Sequence, residues 1–469
     1  MLRRLTLAYD YDLVCIGSGP AGQRAAVQAA KFGKRVAVVE KRRIVGGVCV
    51  ETGTIPSKTF REAVLSLDPP ENPLDPRAER MSPPTAKELL ARVNEVIRRE
   101  GFIVRTQLER NGVEAIYGEA RFSDPHTLQV ESERGTQTLS AANILIAVGT
   151  RPAPPPGIDT DGRLVMTSDH VPQMQELPRN LAVVGAGVVG IEYASIFGVL
   201  TGVEVILVDQ RTRPLEFLDG EIVDELIHQM RSHEVSLRLG EAVERVEITK
   251  GPPERVVMWL ESGKRVVSDA VLFSTGRTGS TDRLDLASAG LETDSRGRIK
   301  VDEQFRTVVP HIFAAGDVIG FPSLAATASE QGRLAACHAF GVDIEPMGEH
   351  FPIGIYSIPE ISMTGETEEE LTGRKIPYEI GIGRYRETAR GQILGDDSGL
   401  LKMLFHREDR KLLGVHIIGT SASELIHIGQ AVLRLGGGLD YFLNTVFNYP
   451  TLAECYKVAA LDAHNKLVM

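Results

Sequence analysis

From its N-terminal end, the chain alternates short apolar blocks with stretches whose apolar positions recur every three to four residues. Residues 12–16 predict a strand, 21–32 a helix with small residues on its packing side, and 35–40 a second strand. The same grammar returns mid-chain, with a strand over 181–184, a helix over 188–198 and a strand over 204–209. Two copies of one strand–helix–strand unit predict two domains of an α/β protein with parallel sheets. Apolar stretches such as 144–148 read as sheet core. Residues 67–84, rich in Pro and charge, read as a surface excursion before a polar helix, and 151–156 (RPAPPP) as a stiff linker. After about Pro352 the pattern changes to strands, then helices, which predicts a third, α+β domain.

At 469 residues the chain exceeds one ordinary core, which fits two to four domains. Hydrophobic residues make up 42% and charged residues 25%, an ordinary balance for a water-soluble protein. A formal net charge of -11 argues against a nucleic-acid or anionic-membrane partner. No apolar run reaches the length of a membrane span, and Arg3 and Arg4 are not followed by the apolar core of a signal peptide. Cys15, Cys49, Cys337 and Cys455 lie far apart and form no C-x-x-C pair. Neither a metal site nor a disulfide framework is expected, and a reducing, cytoplasmic compartment fits best. His416 and His427 lack metal-ligand spacing and read as structural.

The chemistry concentrates in the glycine loops that follow the first strand of each unit. Gly17-Ser18-Gly19-Pro20-Ala21-Gly22 has the G-x-G-x-x-G spacing. Gly17 permits the tight turn, Gly19 lets backbone approach a pyrophosphate, and Gly22 lets strand and helix pack closely. The helix start then offers free N–H groups to phosphates. Glu40 closes the next strand, where an acid can accept hydrogen bonds from ribose hydroxyls. Gly185, Gly187 and Gly190 repeat the loop, with Asp209 in the acid position. Asp209 suits the free 2′-hydroxyl of NAD, whereas Arg211 and Arg213 suit the 2′-phosphate of NADP. The arginines also read as plain solvated loop charges.

These residues, with Ala147-Val148-Gly149-Thr150, Ile55-Pro56-Ser57-Lys58, Thr275-Gly276-Arg277 and Ala314-Ala315-Gly316-Asp317, resemble the pyridine nucleotide-disulfide oxidoreductases over nearly the whole chain. The resemblance implies two Rossmann-like dinucleotide-binding domains plus a C-terminal α+β dimerisation domain. The FAD-binding domain would be discontinuous, over 1–150 and 276–350. The NAD(P)-binding domain would take 151–275 and the dimerisation domain 351–469. It implies FAD contacts from Gly17, Gly19, Gly22, Glu40, Cys49, Lys58, Gly118, Thr150 and Asp317, the last on the ribityl chain. Nicotinamide nucleotide would meet Gly185, Gly187, Gly190, Asp209, Arg211, Arg213 and Gly276. Lys58 would lie by the flavin, paired with Glu192, where its ammonium would stabilise negative charge on the reduced ring. The plainer reading of that pair is a structural salt bridge. The implied partner is a second copy of the chain, in a homodimer with higher oligomers left open.

Two departures decide which member of the family it resembles. The family places C-x-x-x-x-C before I-P-S-K; here Cys49 keeps the first position and Thr54 holds the second. One thiol closes no local disulfide. Cys49 is either a redox-active single thiol or, the plainer reading, a small residue packed beside the flavin. The family's H-P-x-x-x-E reads Tyr449-Pro450-Thr451-Leu452-Ala453-Glu454, and tyrosine does not replace imidazole near neutral pH. Both losses, with Gly53 to Lys58, Ile191 to Ser195, Ile355 to Glu360 and Phe447 to Thr451, resemble the soluble pyridine nucleotide transhydrogenases, of the Si-specific type. The implied activity is hydride transfer between NADPH and NAD⁺ through FAD. Alternatives are an NAD(P)H dehydrogenase that reduces a quinone or dye, and a non-enzymatic nucleotide-binding protein.

Overall fold

The computed structural model describes residues 9–67, 83–153, 155, 157–249 and 251–468. The excursion read over 67–84 falls mostly outside them, as do most of the N-terminal residues weighed as a leader. The two early units form where expected. The strand Tyr11–Ile16 leads into the helix Pro20–Lys31 and the strand Val36–Glu40. Mid-chain, Asn180–Val184 leads into the helix Val188–Gly198 and the strand Glu204–Asp209.

The first unit belongs to a seven-stranded sheet. Its backbone runs Glu114–Tyr117, Val36–Glu40, Tyr11–Ile16, Gly135–Ile146, Thr127–Ser132, Glu119–Asp124. The long strand Gly135–Ile146 does two jobs. Its start pairs antiparallel with Thr127–Ser132, and its end lies parallel between Tyr11–Ile16 and the late strand Ile312–Ala314. The chain therefore returns to its first sheet after building the second. Helix Pro20–Lys31 buries Ala21, Gly22, Ala25, Ala26 and Ala29. It packs on helix Ala325–Ala339, whose Gly332 comes so near that an added Cβ would lie 2.1 Å from the Ala21 carbonyl oxygen. Small residues at this crossing are a steric requirement.

The second sheet is parallel throughout, in the order Ser236–Leu239, Glu204–Asp209, Asn180–Val184, Ala270–Phe273, Val165–Thr167. A three-stranded antiparallel sheet (Val243–Ile248, Val256–Leu260, Arg265–Ser268) covers part of it. The stiff stretch read as a linker starts as structure: Thr150–Pro152 pairs antiparallel with Arg277–Gly279, so the way into this unit and the way out form one ribbon. Pro154 and Pro156 lie outside the described residues.

The last unit is a five-stranded antiparallel sheet ordered Ile353–Ile355, Ile361–Gly365, Leu412–Ile418, Leu400–His406, Tyr378–Arg384. The expectation of strands and then helices needs correction. Short helices Glu368–Gly373 and Ala389–Leu394 interrupt the strands before helices Ala422–Arg434, Leu439–Asn444 and Glu454–Val468 follow. The first is set by a capping box, Thr367 with Glu370, which stabilises a helix too short to be found by periodicity. The final helix lies directly on strand Tyr378–Arg384, because Gly381 and Gly383 leave room for the Ala459 and Cys455 carbonyls. Among the described residues no helix is long and apolar enough to cross a membrane.

Candidate cofactor and redox site

Each glycine loop is fixed by sterics. Gly17 sits at φ +104°, and a Cβ there would lie 2.4 Å from the Ala147 oxygen. A Cβ on Gly22 would lie 1.9 Å from the Gly17 oxygen. By contrast Gly19 has nothing within 4 Å of its added Cβ, so backbone is bare where a phosphate would approach. The second loop repeats this: Gly185 at φ +105°, Gly190 blocked at 1.8 Å by the Gly185 oxygen, and Gly187 open. Neither following helix has a side-chain cap, so the first N–H groups of both remain available to an anion.

The acids at the two strand ends are held alike. Glu40, 4% exposed, accepts Ser18 N–H at 3.1 Å, the Ser18 hydroxyl at 2.5 Å and Arg42 N–H at 2.9 Å. Gly46 N–H donates to Ser18 Oγ at 2.8 Å. Asp209 likewise accepts Ala186 N–H, in the place of Ser18. The arginines after it are neither free nor merely solvated. Arg211 reaches back onto Asp209, donating from Nε at 2.9 Å and Nη2 at 2.8 Å. Arg213 donates to the Gly220 carbonyl at 2.5 Å and to Asp224 at 2.7 Å. Burial alone would raise the Asp209 carboxyl; the Arg211 hydrogen bonds and the Ala186 amide outweigh it and hold it below the ordinary range.

From the first loop a cavity of about 790 Å³ runs inward past Cys49, Lys58, Gly118, Thr150 and Asp317. Gly118 belongs there for a steric reason: at φ +156°, its Cβ would lie 2.6 Å from the Glu131 oxygen. Burial raises the Asp317 carboxyl, against the pull of Arg277 and Thr150. Thr150 Oγ1 lies 3.4 Å from it and itself accepts Arg277 Nε–H at 2.8 Å. Gly276 takes φ +131°, on the ribbon strand side of this group. Burial likewise raises the Cys49 thiol, which contacts Thr54, and all four cysteines are free.

Deeper in, three parts of the chain meet. Lys58 Nζ donates to both Glu192 carboxylate oxygens, at 2.7 and 2.6 Å, with the lysine on the helix Thr54–Leu67 and the glutamate on Val188–Gly198. Glu192 also accepts Tyr356 N–H at 2.9 Å, and Lys58 Nζ lies 4.9 Å from the centre of the Tyr356 ring. Arg61 donates to the Ser357 carbonyl at 3.0 Å, and Ile358 N–H donates to Ser195 at 3.0 Å, sewing the segment in place.

Of the residues singled out from the sequence, the cavity wall gathers Gly17, Gly19, Glu40, Cys49, Lys58, Gly118, Thr150, Glu192 and Asp317. Gly185, Gly187, Gly190, Asp209, Arg211 and Arg213 form the separate second cradle. Tyr449 stands 72% exposed on the surface of the last unit. His416 is buried and bonds the Glu366 carbonyl, whereas His427 sits exposed at the cavity rim. Sequence reasoning missed Ser18, Gly46 and Gly47, which shape the first loop, and Thr52 and Asp169. Those last two each keep a buried side-chain oxygen without a partner in the cavity wall. Such orphans suit a polar ligand that completes them. No signal distinguishes Thr52 or Asp169 in the sequence, because their partners would come from outside the chain. No cluster of three or more His, Cys, Asp or Glu is placed to hold a metal among the described residues.

Comparison with known proteins places this geometry. The family model described as pyridine nucleotide-disulphide oxidoreductase matches residues 11–332, and the one described as its dimerisation domain matches 351–460. A soluble pyridine nucleotide transhydrogenase of Mycobacterium bovis (strain BCG / Pasteur 1173P2) is 53% identical over 462 residues, covering 98% of each chain. One of Escherichia coli O9:H4 (strain HS) is 44% identical over 466 residues, covering 98% of this chain and 99% of that one. Among solved structures, the HOCl-induced flavoprotein disulfide reductase RclA from Escherichia coli has 25% identity and a TM-score of 0.86. LpdA from Mycobacterium tuberculosis has the same values, and each alignment covers 96% of this chain and 99% of the other. The chain belongs to the pyridine nucleotide-disulphide oxidoreductase family and, at these identities over nearly its whole length, groups with the soluble pyridine nucleotide transhydrogenases.

Proposed function

We propose that the chain is a soluble transhydrogenase of the Si-specific type, moving a hydride between NADPH and NAD⁺ by way of bound FAD. The observation that carries this reading is a contrast within one molecule. Both dinucleotide cradles are complete, while the thiol relay is missing: Cys49 faces Thr54, and Tyr449 stands where an acid/base histidine would serve a thiol substrate.

Bound FAD supplies a two-electron carrier that accepts hydride from one nicotinamide and returns it to another. The residues do the rest. Gly17, Gly19 and Gly22 with the following helix start hold the pyrophosphate, and Glu40 the adenosine ribose. Asp317, with Thr150 and Gly118, lines the path of the remaining cofactor. Lys58, fixed by Glu192, keeps a positive charge in the cavity where the reduced ring would carry a negative one. Gly185, Gly187, Gly190, Gly276 and Asp209 with its arginines take the nicotinamide nucleotide. In domain terms, 1–150 and 276–350 bind FAD, 151–275 bind the nicotinamide nucleotide, and 351–469 pair two copies of the chain. Four free cysteines fit a cytoplasmic setting.

A single nicotinamide cradle among the described residues means that the first nucleotide leaves before the second arrives, so the kinetics should be ping-pong. Transfer of hydride alone would ask no side chain to carry a proton, which makes Tyr449 harmless. The test is stopped-flow absorbance at the flavin, with NADPH mixed first and a thio-substituted NAD⁺ second. Parallel double-reciprocal plots are expected. Intersecting plots, or quinone reduction far faster than nicotinamide transfer, would overturn the reading. Light scattering should show a dimer, and a stable flavin-loaded monomer at micromolar concentration would remove the pairing.

A further inference from the structure

An acid at the end of the second strand of a dinucleotide unit selects for NAD(H), because a carboxylate accepts a hydrogen bond from a ribose hydroxyl and repels a 2′-phosphate. In this chain that acid is already covered. The Asp209 side chain is 5% exposed and is engaged by the Ala186 amide, the Arg211 amide at 2.7 Å, and two donors of the Arg211 guanidinium. A guanidinium has five N–H donors in a planar fork. Only the Nε edge faces Asp209; Nη1 and the outer hydrogen of Nη2 point away, on a side chain 38% exposed. Arg213 is held elsewhere, at the start of the helix Gly220–Ser232, by the Gly220 carbonyl and Asp224.

We propose that Arg211 is a two-edged adapter that makes one acidic ribose site serve both nucleotides. With one edge on Asp209 it cancels the charge that would repel a 2′-phosphate, and the opposite edge donates to that phosphate. With NAD(H), whose ribose bears a hydroxyl, the guanidinium yields a carboxylate oxygen and turns to solvent. Among the described residues Asp209 is the only hydrogen-bond partner of its guanidinium. A lysine would not replace it, because a single ammonium lacks a second edge. The inference rests on the function proposed above and names how that site accepts two substrates.

The test measures binding by calorimetry on the flavin-loaded protein, with 2′,5′-ADP and 5′-ADP as probes. Neither probe carries a nicotinamide, so the result stands apart from any failure of the transhydrogenase reading. Arg211→Met should weaken 2′,5′-ADP by about tenfold to 150-fold, the range for hydrogen bonds to a charged group, and change 5′-ADP by less than about twofold. Asp209→Asn should weaken 5′-ADP and leave 2′,5′-ADP equal or tighter. Equal losses of both probes in Arg211→Met would overturn the proposal. So would a selective loss of 2′,5′-ADP in Arg213→Met with Arg211→Met unaffected.

Discussion

Replacing Lys402 by methionine should loosen the second, parallel-sheet unit from the last unit of the chain. Lys402 lies on strand Leu400–His406 and is fully buried. Its ammonium contacts Asp219, also fully buried, at 2.9 Å, Glu221 at 3.2 Å, and Glu368. Asp219 caps the helix Gly220–Ser232, and Gly220 N–H donates across the same seam to Glu369 at 3.0 Å. Methionine keeps the stem and removes the charge, leaving Asp219 a buried, unpaired carboxylate. Breaking one side of a buried pair costs about 3–5 kcal/mol. With a urea dependence of about 2–3 kcal/mol per molar, the unfolding midpoint should fall by roughly 1–2.5 M. Trp259, the chain's only tryptophan, sits in the second unit, on strand Val256–Leu260, and reports the transition by fluorescence. Burial opposes ionisation of Asp219, but Lys402 and the neighbouring His416 outweigh it and its carboxyl is held low; burial also opposes the Lys402 charge, yet Asp219 and Glu368 hold it high. A depressed carboxyl contributes stability above its unfolded value and loses it as pH falls through the folded one. A raised ammonium contributes below its unfolded value and loses it as pH rises through the folded one. The gap between wild type and Lys402→Met should therefore be flat from about neutral pH to about pH 10, narrow in acid as His416 protonates and partners Asp219, and close below about pH 4 and above about pH 10. Adding Asp219→Asn, which can still cap the helix, should recover part of the loss. A midpoint within experimental error of wild type, or a double variant as weak as the sum of the two single ones, would refute the reasoning.

Three further outcomes follow from the cavity. Reductive titration should take two electrons per FAD with no red thiolate band, and Cys49→Ser should leave hydride transfer within about twofold; four-electron uptake would contradict this. Lys58→Met should slow flavin reduction by about 10²–10³-fold in stopped flow while nucleotide affinity holds, and a change confined to affinity would deny Lys58 its electrostatic role. Gly22→Ala forces a Cβ to within 1.9 Å of a backbone oxygen, so the purified variant should carry little FAD by absorbance; full loading would show that the loop can shift.

The glycine loops were legible because their constraints are local. Gly22 and Gly190 are demanded by the Gly17 and Gly185 carbonyls five residues back, and the positive φ of Gly17 and Gly185 belongs to the turn itself, so spacing located both units to within about a residue, although the Ala147 and Ser274 carbonyls that also press on Gly17 and Gly185 come from distant strands. The short helices among the late strands were missed although Thr367 and Glu370 form a readable capping box, because six residues show no period. The Lys402 cluster was invisible for a different reason. Asp219, Glu368 and Lys402 are distant in sequence, and nothing in the local pattern marks a lysine on an apolar strand as paired. Arg211 was read as a ligand for phosphate or a surface charge, and its return onto Asp209 depends on loop shape that composition does not encode.

The ribbon of Thr150–Pro152 and Arg277–Gly279 has a consequence for how such a molecule can be altered. Everything between those strands leaves and rejoins the first unit at adjacent points, already fastened side by side. Closing the gap left by removing the intervening segment would cost little chain entropy, since the ends are held together by hydrogen bonds whether or not the segment is present. The second unit is in this sense a removable cassette. A homologous unit with a different ribose pocket could be transplanted at the ribbon without disturbing the first sheet. What the transplant would have to reproduce is the far side: Glu192 for Lys58 and Tyr356, Ser195 for Ile358, and Asp219 and Gly220 for Lys402 and Glu369. Compatibility between cassette and frame would then be decided by two buried carboxylates and the hydrogen bonds beside them.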